Sequence, residues 1–141
     1  MEDSCLTIEN IVLNADPKDR FEAIQMAGDI LVKNGYVTPE YIDDMFEREK
    51  TVSVYIGNNV AIPHGLVTSG DKIIKSGISV VQTPKGVHFE TGDAYVFIGI
   101  AGKNDEHIQI LSHIAMVCCD MENVYKIRDA KTKEEILNIL L

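Results

Sequence analysis

The chain has 141 residues, of which 45% are hydrophobic and 25% charged, a balance that predicts one globular domain with a proper core and argues against disorder. Its 22 acidic and 13 basic side chains leave a net charge of −9, which disfavours nucleic acid and anionic membrane as partners. The acidic start Met1-Glu2-Asp3-Ser4 does not resemble a signal peptide, and no apolar run approaches the roughly 20 residues of a membrane span. A cytoplasmic protein without direct membrane insertion is expected.

In chain order, Ile11-Val12-Leu13 is a short strand candidate. Asp16-Pro17 reads as a cap with proline at the first helical position, opening a helix whose apolar stripe runs Phe21, Ile24, Gly28, Leu31 and Val32 until Asn34-Gly35 stops it. Thr38-Pro39 repeats that signature before a second helix with Tyr41, Ile42, Met45 and Phe46 facing inward. Tyr41, Met45 and Arg48 are spaced i, i+4, i+7, so Arg48 lies on or beside the core-facing stripe. It is placed either to meet an anion or to reach solvent and pair with Glu47 or Glu49.

The period then changes to two. Val52 to Ile56 and Asn59 to Ile62 flank Gly57-Asn58, a predicted hairpin turn. A third strand, Gly77 to Val81, is expected to end by Pro84-Lys85-Gly86, leaving His88 on a loop. The run Ala94 to Ala101 is nearly all apolar and predicts a central strand covered on both faces. Asn104 is positioned to cap the next helix, with Asp105 and Glu106 favouring its dipole and Ile108, Leu111, Ala115 and Cys118 as its core stripe, flanked by Ile110, Ile114 and Val117. A short helix, Met121 to Arg128, follows. A last one opens on the capping box Thr132-Lys133-Glu134-Glu135 and buries Ile136, Leu137 and Leu140. The fold class is α/β, with a mixed β-sheet flanked by helices. Among the three cysteines no Cys-x-x-Cys spacing suggests zinc, and Cys118 reads as a small core residue in a reducing compartment.

Three residues carry chemistry. His64 closes the run Val60-Ala61-Ile62-Pro63, where proline fixes the extended exit, and Gly65 is expected to leave the ring uncrowded. His107 falls in the first turn of a helix, near free N–H groups that favour an anion and a neutral imidazole. Arg48 is the third. Ligands of α/β folds gather beyond the carboxyl ends of strands, where these residues can meet. Their natural guest is phosphate, and one open histidine is able to carry it covalently. No Walker A or Gly-rich nucleotide loop is present, so no nucleotide cofactor is expected. His113, six residues from His107, points elsewhere around its helix.

The runs Phe46-Glu47-Arg48-Glu49-Lys50, Val60-Ala61-Ile62-Pro63-His64-Gly65 and Glu106-His107-Ile108-Gln109-Ile110-Leu111 resemble the enzyme IIA domain of the bacterial sugar phosphotransferase system, mannitol/fructose class. Gly65 and the run from Glu106 favour the mannitol branch. The resemblance covers residues 1–141 as a single domain. It implies a phosphotransferase in which His64 is phosphorylated through Nε2, with His107 and Arg48 stabilising the phosphoryl group. The implied partners are the histidine phosphocarrier protein as donor and a cysteine of the IIB domain of the mannitol permease as acceptor. A chain of this length suggests an IIA subunit separate from the permease. Other readings are a nitrogen-related regulatory phosphorelay with a soluble target, a metallohydrolase lacking a clear third ligand, and a purely structural Pro-His-Gly turn.

Overall fold

A computed structural model of the protein describes residues 5–141, and the acidic stretch Met1–Ser4 lies outside the described residues. Among the described residues, five strands form one mixed sheet in the order β1-β4-β5-β3-β2: β1 (Ile11–Val12), β2 (Tyr55–Gly57), β3 (Val60–Ala61), β4 (Gly77–Phe89) and β5 (Gly92–Ala101). The pairs β1–β4 and β3–β5 are parallel, while β4–β5 and β2–β3 are antiparallel. Helices α1 (Arg20–Lys33) and α2 (Tyr41–Thr51) cover one face, and α3 (Glu106–Cys118), α4 (Met121–Asp129) and α5 (Lys133–Leu140) cover the other.

The period of two decides which side chain enters which layer. Ala61, Val81 and Phe97 pack with Ala27, Leu31, Tyr41 and Met45 from the first two helices. Their neighbours Val60, Val80, Val96 and Ile98 pack with Ile114, Val124, Ile127 and Ile136 from the other three. The central strand β5 is therefore buried on both faces, as its unbroken apolar run predicts.

Several boundaries differ from the sequence reading. Helix α1 is capped by Asp19, whose side chain accepts from Glu22 N–H, rather than by Asp16. The chain before it stays with the sheet, since Asn14 N–H donates to Gln82 Oε1 and Ala15 N–H to Gln82 O, both at 2.8 Å. Thr38 does not cap α2 by its side chain: its hydroxyl is buried without a partner, and its carbonyl accepts from Tyr41 N–H at 3.0 Å. The hairpin exists, but its turn is Asn58-Asn59, both at positive φ (52° and 64°), because Gly57 already pairs with Val60. Strand β4 runs through Pro84, which an irregularity between Gln82 and Val87 accommodates, so His88 lies in a strand opposite Asp93. Helix α3 buries Ile110, Ile114 and Cys118, while Ile108 and Ala115 are exposed and Leu111 is half-buried. Asn104 adopts positive φ (58°) one residue before the N-cap, Asp105, which makes no side-chain cap bond.

Thr132 caps α5 as the capping box predicts, accepting from Glu135 N–H at 3.2 Å. Gln82 ties the layers together, donating to the carbonyls of Ile127, Arg128 and Ala130 at the end of α4. Gln82→Leu should strand those acceptors and cost about 1–3 kcal/mol of stability, read as a lower urea midpoint with an unchanged m-value. Wild-type stability in that variant would show that Gln82 does not join the layers.

Candidate functional site

The parallel pairing of β3 with β5 places His64. Val60 opposes Val96 and Ala61 opposes Phe97, and the same register continues past the end of β3 to an isolated bridge between His64 and Ile100. Ile100 N–H donates to the Pro63 carbonyl at 2.8 Å. Because β5 then feeds α3 directly, the first turn of α3 arrives beside the same strand ends. Gly102 permits that tight passage, since a Cβ there would stand 2.2 Å from His107 Cα. The ring centroids of His64 and His107 lie 5.5 Å apart with planes tilted by 55°.

The His64 ring is oriented before any ligand arrives. Nδ1 lies 2.7 Å from the Ile62 carbonyl oxygen, which can only accept, so Nδ1 carries the proton. Nε2 is left with its lone pair. The residue is 9% exposed, and burial holds its pKa below the ordinary histidine range; the Ile62 bond opposes this, while Arg48 and His107 act in the same direction as burial. Burial also lowers the pKa of His107. Both rings are therefore neutral at neutral pH.

Arg48 reaches this site from the last turn of α2. Neither expected acid holds it: Glu47 pairs with Lys50 at 3.5 Å and Glu49 with Arg20 at 3.3 Å. Its Nη1 instead donates to the Val52 carbonyl, leaving the guanidinium at the wall of an open cavity of about 750 Å³. His64 and His107 line the same cavity. Among the described residues none that lines it is acidic, and Val52 (60% exposed), Val67 and Ile108 (69% exposed) stand on its wall. An apolar rim around two neutral imidazoles and one cation suits an anion presented by another macromolecule.

Sequence reasoning missed the residues that hold the loop beyond His64. The Tyr41 hydroxyl accepts from Gly65 N–H and donates to the Ile100 carbonyl, both at 2.8 Å. A Cβ on Gly65 would stand 2.5 Å from Tyr41 Cε1, so glycine is required there by the tyrosine ring rather than by space for a ligand. One turn along α2, Asp44 accepts from the Ser69 hydroxyl at 2.6 Å and from Lys72 Nζ at 2.7 Å, and Ser69 Oγ accepts from Leu66 N–H at 2.8 Å. Burial works to raise the Asp44 pKa, but those two donors outweigh it and hold the carboxyl below its usual range. An acid on the inward arc of α2 was the available signal.

The other histidines stand apart from this group. His113 Nε2 lies 2.8 Å from the Leu140 carbonyl at the end of α5, and His88 pairs with Asp93 at 3.4 Å on the surface. Cys118 is buried and its thiol is pushed up to about 11, chiefly by that burial. Among the described residues no cluster of three metal-ligating side chains occurs, and no helix is long and apolar enough to cross a membrane.

A family model described as "Phosphoenolpyruvate-dependent sugar phosphotransferase system, EIIA 2" matches residues 4–141. The mannitol-specific phosphotransferase enzyme IIA component of Geobacillus stearothermophilus is 54% identical over 133 residues, covering 94% of this chain and 92% of that protein. The mannitol-specific EIICBA component of Vibrio cholerae is 48% identical over 135 residues, which are 94% of this chain but 21% of that longer protein. The structure is similar to the IIA chain in the Escherichia coli complex of enzyme IIA-mannitol and phosphorylated enzyme IIB-mannitol, with a TM-score of 0.90, 37% identity and 96% of each chain covered.

An imidazole NMR titration checks the electrostatics. His64 should show the Nδ1–H tautomer at neutral pH and titrate below about 6.5, the ordinary histidine value. With the folded pKa depressed, the unfolded chain takes the proton first, so this group's contribution to stability is complete above 6.5 and is lost as pH falls through the folded value. Titration above 6.5 would contradict the buried, neutral ring.

Proposed function

The chain belongs to the EIIA 2 family of the phosphoenolpyruvate-dependent sugar phosphotransferase system, and on that premise we propose that His64 Nε2 accepts and passes on the phosphoryl group, in the cytoplasm. The observation that carries this reading is the Nδ1–Ile62 hydrogen bond, which leaves the Nε2 lone pair available on a ring that lines the cavity. The donor is the histidine phosphocarrier protein. The acceptor is a cysteine of the IIB domain of a mannitol permease, a specificity supported by the names of the relatives and by the fusion in Vibrio cholerae.

In the first step the Nε2 lone pair attacks the phosphorus of the carrier's phosphohistidine, and the N–P bond of the donor breaks with its electron pair returning to the leaving imidazole. His64 keeps its Nδ1 proton on Ile62, so the phosphorylated ring carries imidazolium character and is itself a good leaving group. In the second step a thiolate attacks phosphorus, the N–P bond breaks, and the pair returns to Nε2. The neutral Nδ1–H tautomer is regenerated without any proton transfer by the protein. His107 supplies a neutral N–H donor and Arg48 a cation toward the phosphoryl oxygens, so positioning and charge stabilisation supply the catalysis. One cation and neutral donors bind the phosphate without trapping it.

Incubation with phosphoenolpyruvate, the upstream kinase and the phosphocarrier should add one acid-labile, alkali-stable phosphate, absent in His64→Ala. A mannitol IIB domain should discharge it. A label retained in His64→Ala overturns the assignment, and a His64 label that no mannitol IIB accepts moves the protein to a regulatory phosphorelay. His107→Ala and Arg48→Ala should each slow transfer roughly 10²–10³-fold while His64 still labels. Arg48→Lys should recover only part of the rate, since lysine lacks the planar fork. Wild-type rates in both alanine variants would remove these residues from the mechanism.

A further inference from the structure

We infer that Tyr41 is a positioning residue for phosphoryl transfer, holding the His64 backbone through the hydroxyl that joins Gly65 to Ile100. The inference rests on the reading of His64 as the phosphorylated residue. The peptide groups on both sides of His64 are tied to one residue of β5. On the N-terminal side, Ile100 N–H donates directly to Pro63 O at 2.8 Å. On the C-terminal side, Gly65 N–H reaches the Ile100 carbonyl through the Tyr41 hydroxyl, with 2.8 Å for each bond. A tether on one side only would leave the His64–Gly65 peptide free to shift, and the ring's position with it.

Tyr41 suits this task because it is buried and keeps its proton. It is 1% exposed, and burial pushes its hydroxyl up to about 12, so it remains a donor to Ile100 at any working pH. Its ring also meets Gly65 so closely that no side chain fits between them. The same helix holds the following segment through Asp44 and Ser69 and presents Arg48 at its far end. Helix α2 is thus the common frame of nucleophile loop and cation. Phosphoryl transfer depends on in-line approach, and a misplacement of about 1 Å can cost on the order of 10²-fold.

The test is single-turnover transfer from phosphorylated His64 to a mannitol IIB domain. Tyr41→Phe should lower the rate at saturating IIB about 10- to 100-fold, with the half-saturating IIB concentration and the extent of labelling unchanged. Ile136→Val, on the buried face of α5, should lose stability without losing rate. A wild-type maximal rate in Tyr41→Phe, or an equal loss in Ile136→Val, overturns the positioning role. If the wild type itself takes no label, the functional reading fails instead. Amide exchange in the wild-type protein decides the matter should Tyr41→Phe not fold: Gly65 N–H should be strongly protected, and exchange at the rate of an exposed amide overturns the tether.

Discussion

The site depends on one backbone constraint, the continuation of the β3–β5 register beyond β3 itself. Strand β3 is only Val60–Ala61, yet its alignment with β5 carries through Pro63 to the His64–Ile100 bridge. That alignment brings the end of one strand next to the start of the helix that follows its neighbour. His107 needs no long loop to reach His64, because the two arrive at the same edge from parallel strands. The Ile62 carbonyl then fixes the tautomer, so the position and chemical state of the ring follow from the same short segment.

Electrostatics complete what the backbone begins. A protein of net charge −9 is a poor host for a phosphoryl dianion, yet the described residues place no carboxylate on the wall of the cavity. The buried acids near it are already engaged: Asp44 by Ser69 and Lys72, and Glu49 by Arg20 and by Val54 N–H at 2.9 Å. Arg48 is the one guanidinium on that wall, and its bond to a carbonyl rather than a carboxylate leaves its charge unneutralised for an anion.

Much of this was legible in the sequence, and for stated reasons. The unbroken apolar run of β5, the Thr132 capping box and the change of period after α2 each have a local physical cause. So has the convergence of His64, His107 and Arg48, since each stands at an element end. The misreadings arose where tertiary contact decides between equivalent local choices. In α3 the arcs 108/111/115 and 110/114/118 are both apolar, and only docking on the sheet selects the second. The unused arc leaves Ile108 beside the cavity, which a helix apolar on both arcs should have suggested. The Asp16 cap failed because Ala15 remains bonded to β4, and the role of Gly65 was misread because its crowding partner, Tyr41, is distant in sequence.

The central claim is that Nε2 of His64, and no other atom, bears the phosphoryl group while Nδ1 keeps its proton on Ile62. Long-range proton–nitrogen NMR of the uniformly labelled protein, before and after phosphorylation, reads both nitrogens at once. The account predicts phosphorus–nitrogen coupling at His64 Nε2, a retained Nδ1–H signal, and unphosphorylated rings at His88, His107 and His113. Coupling at Nδ1 of His64, or at any other histidine, would contradict it.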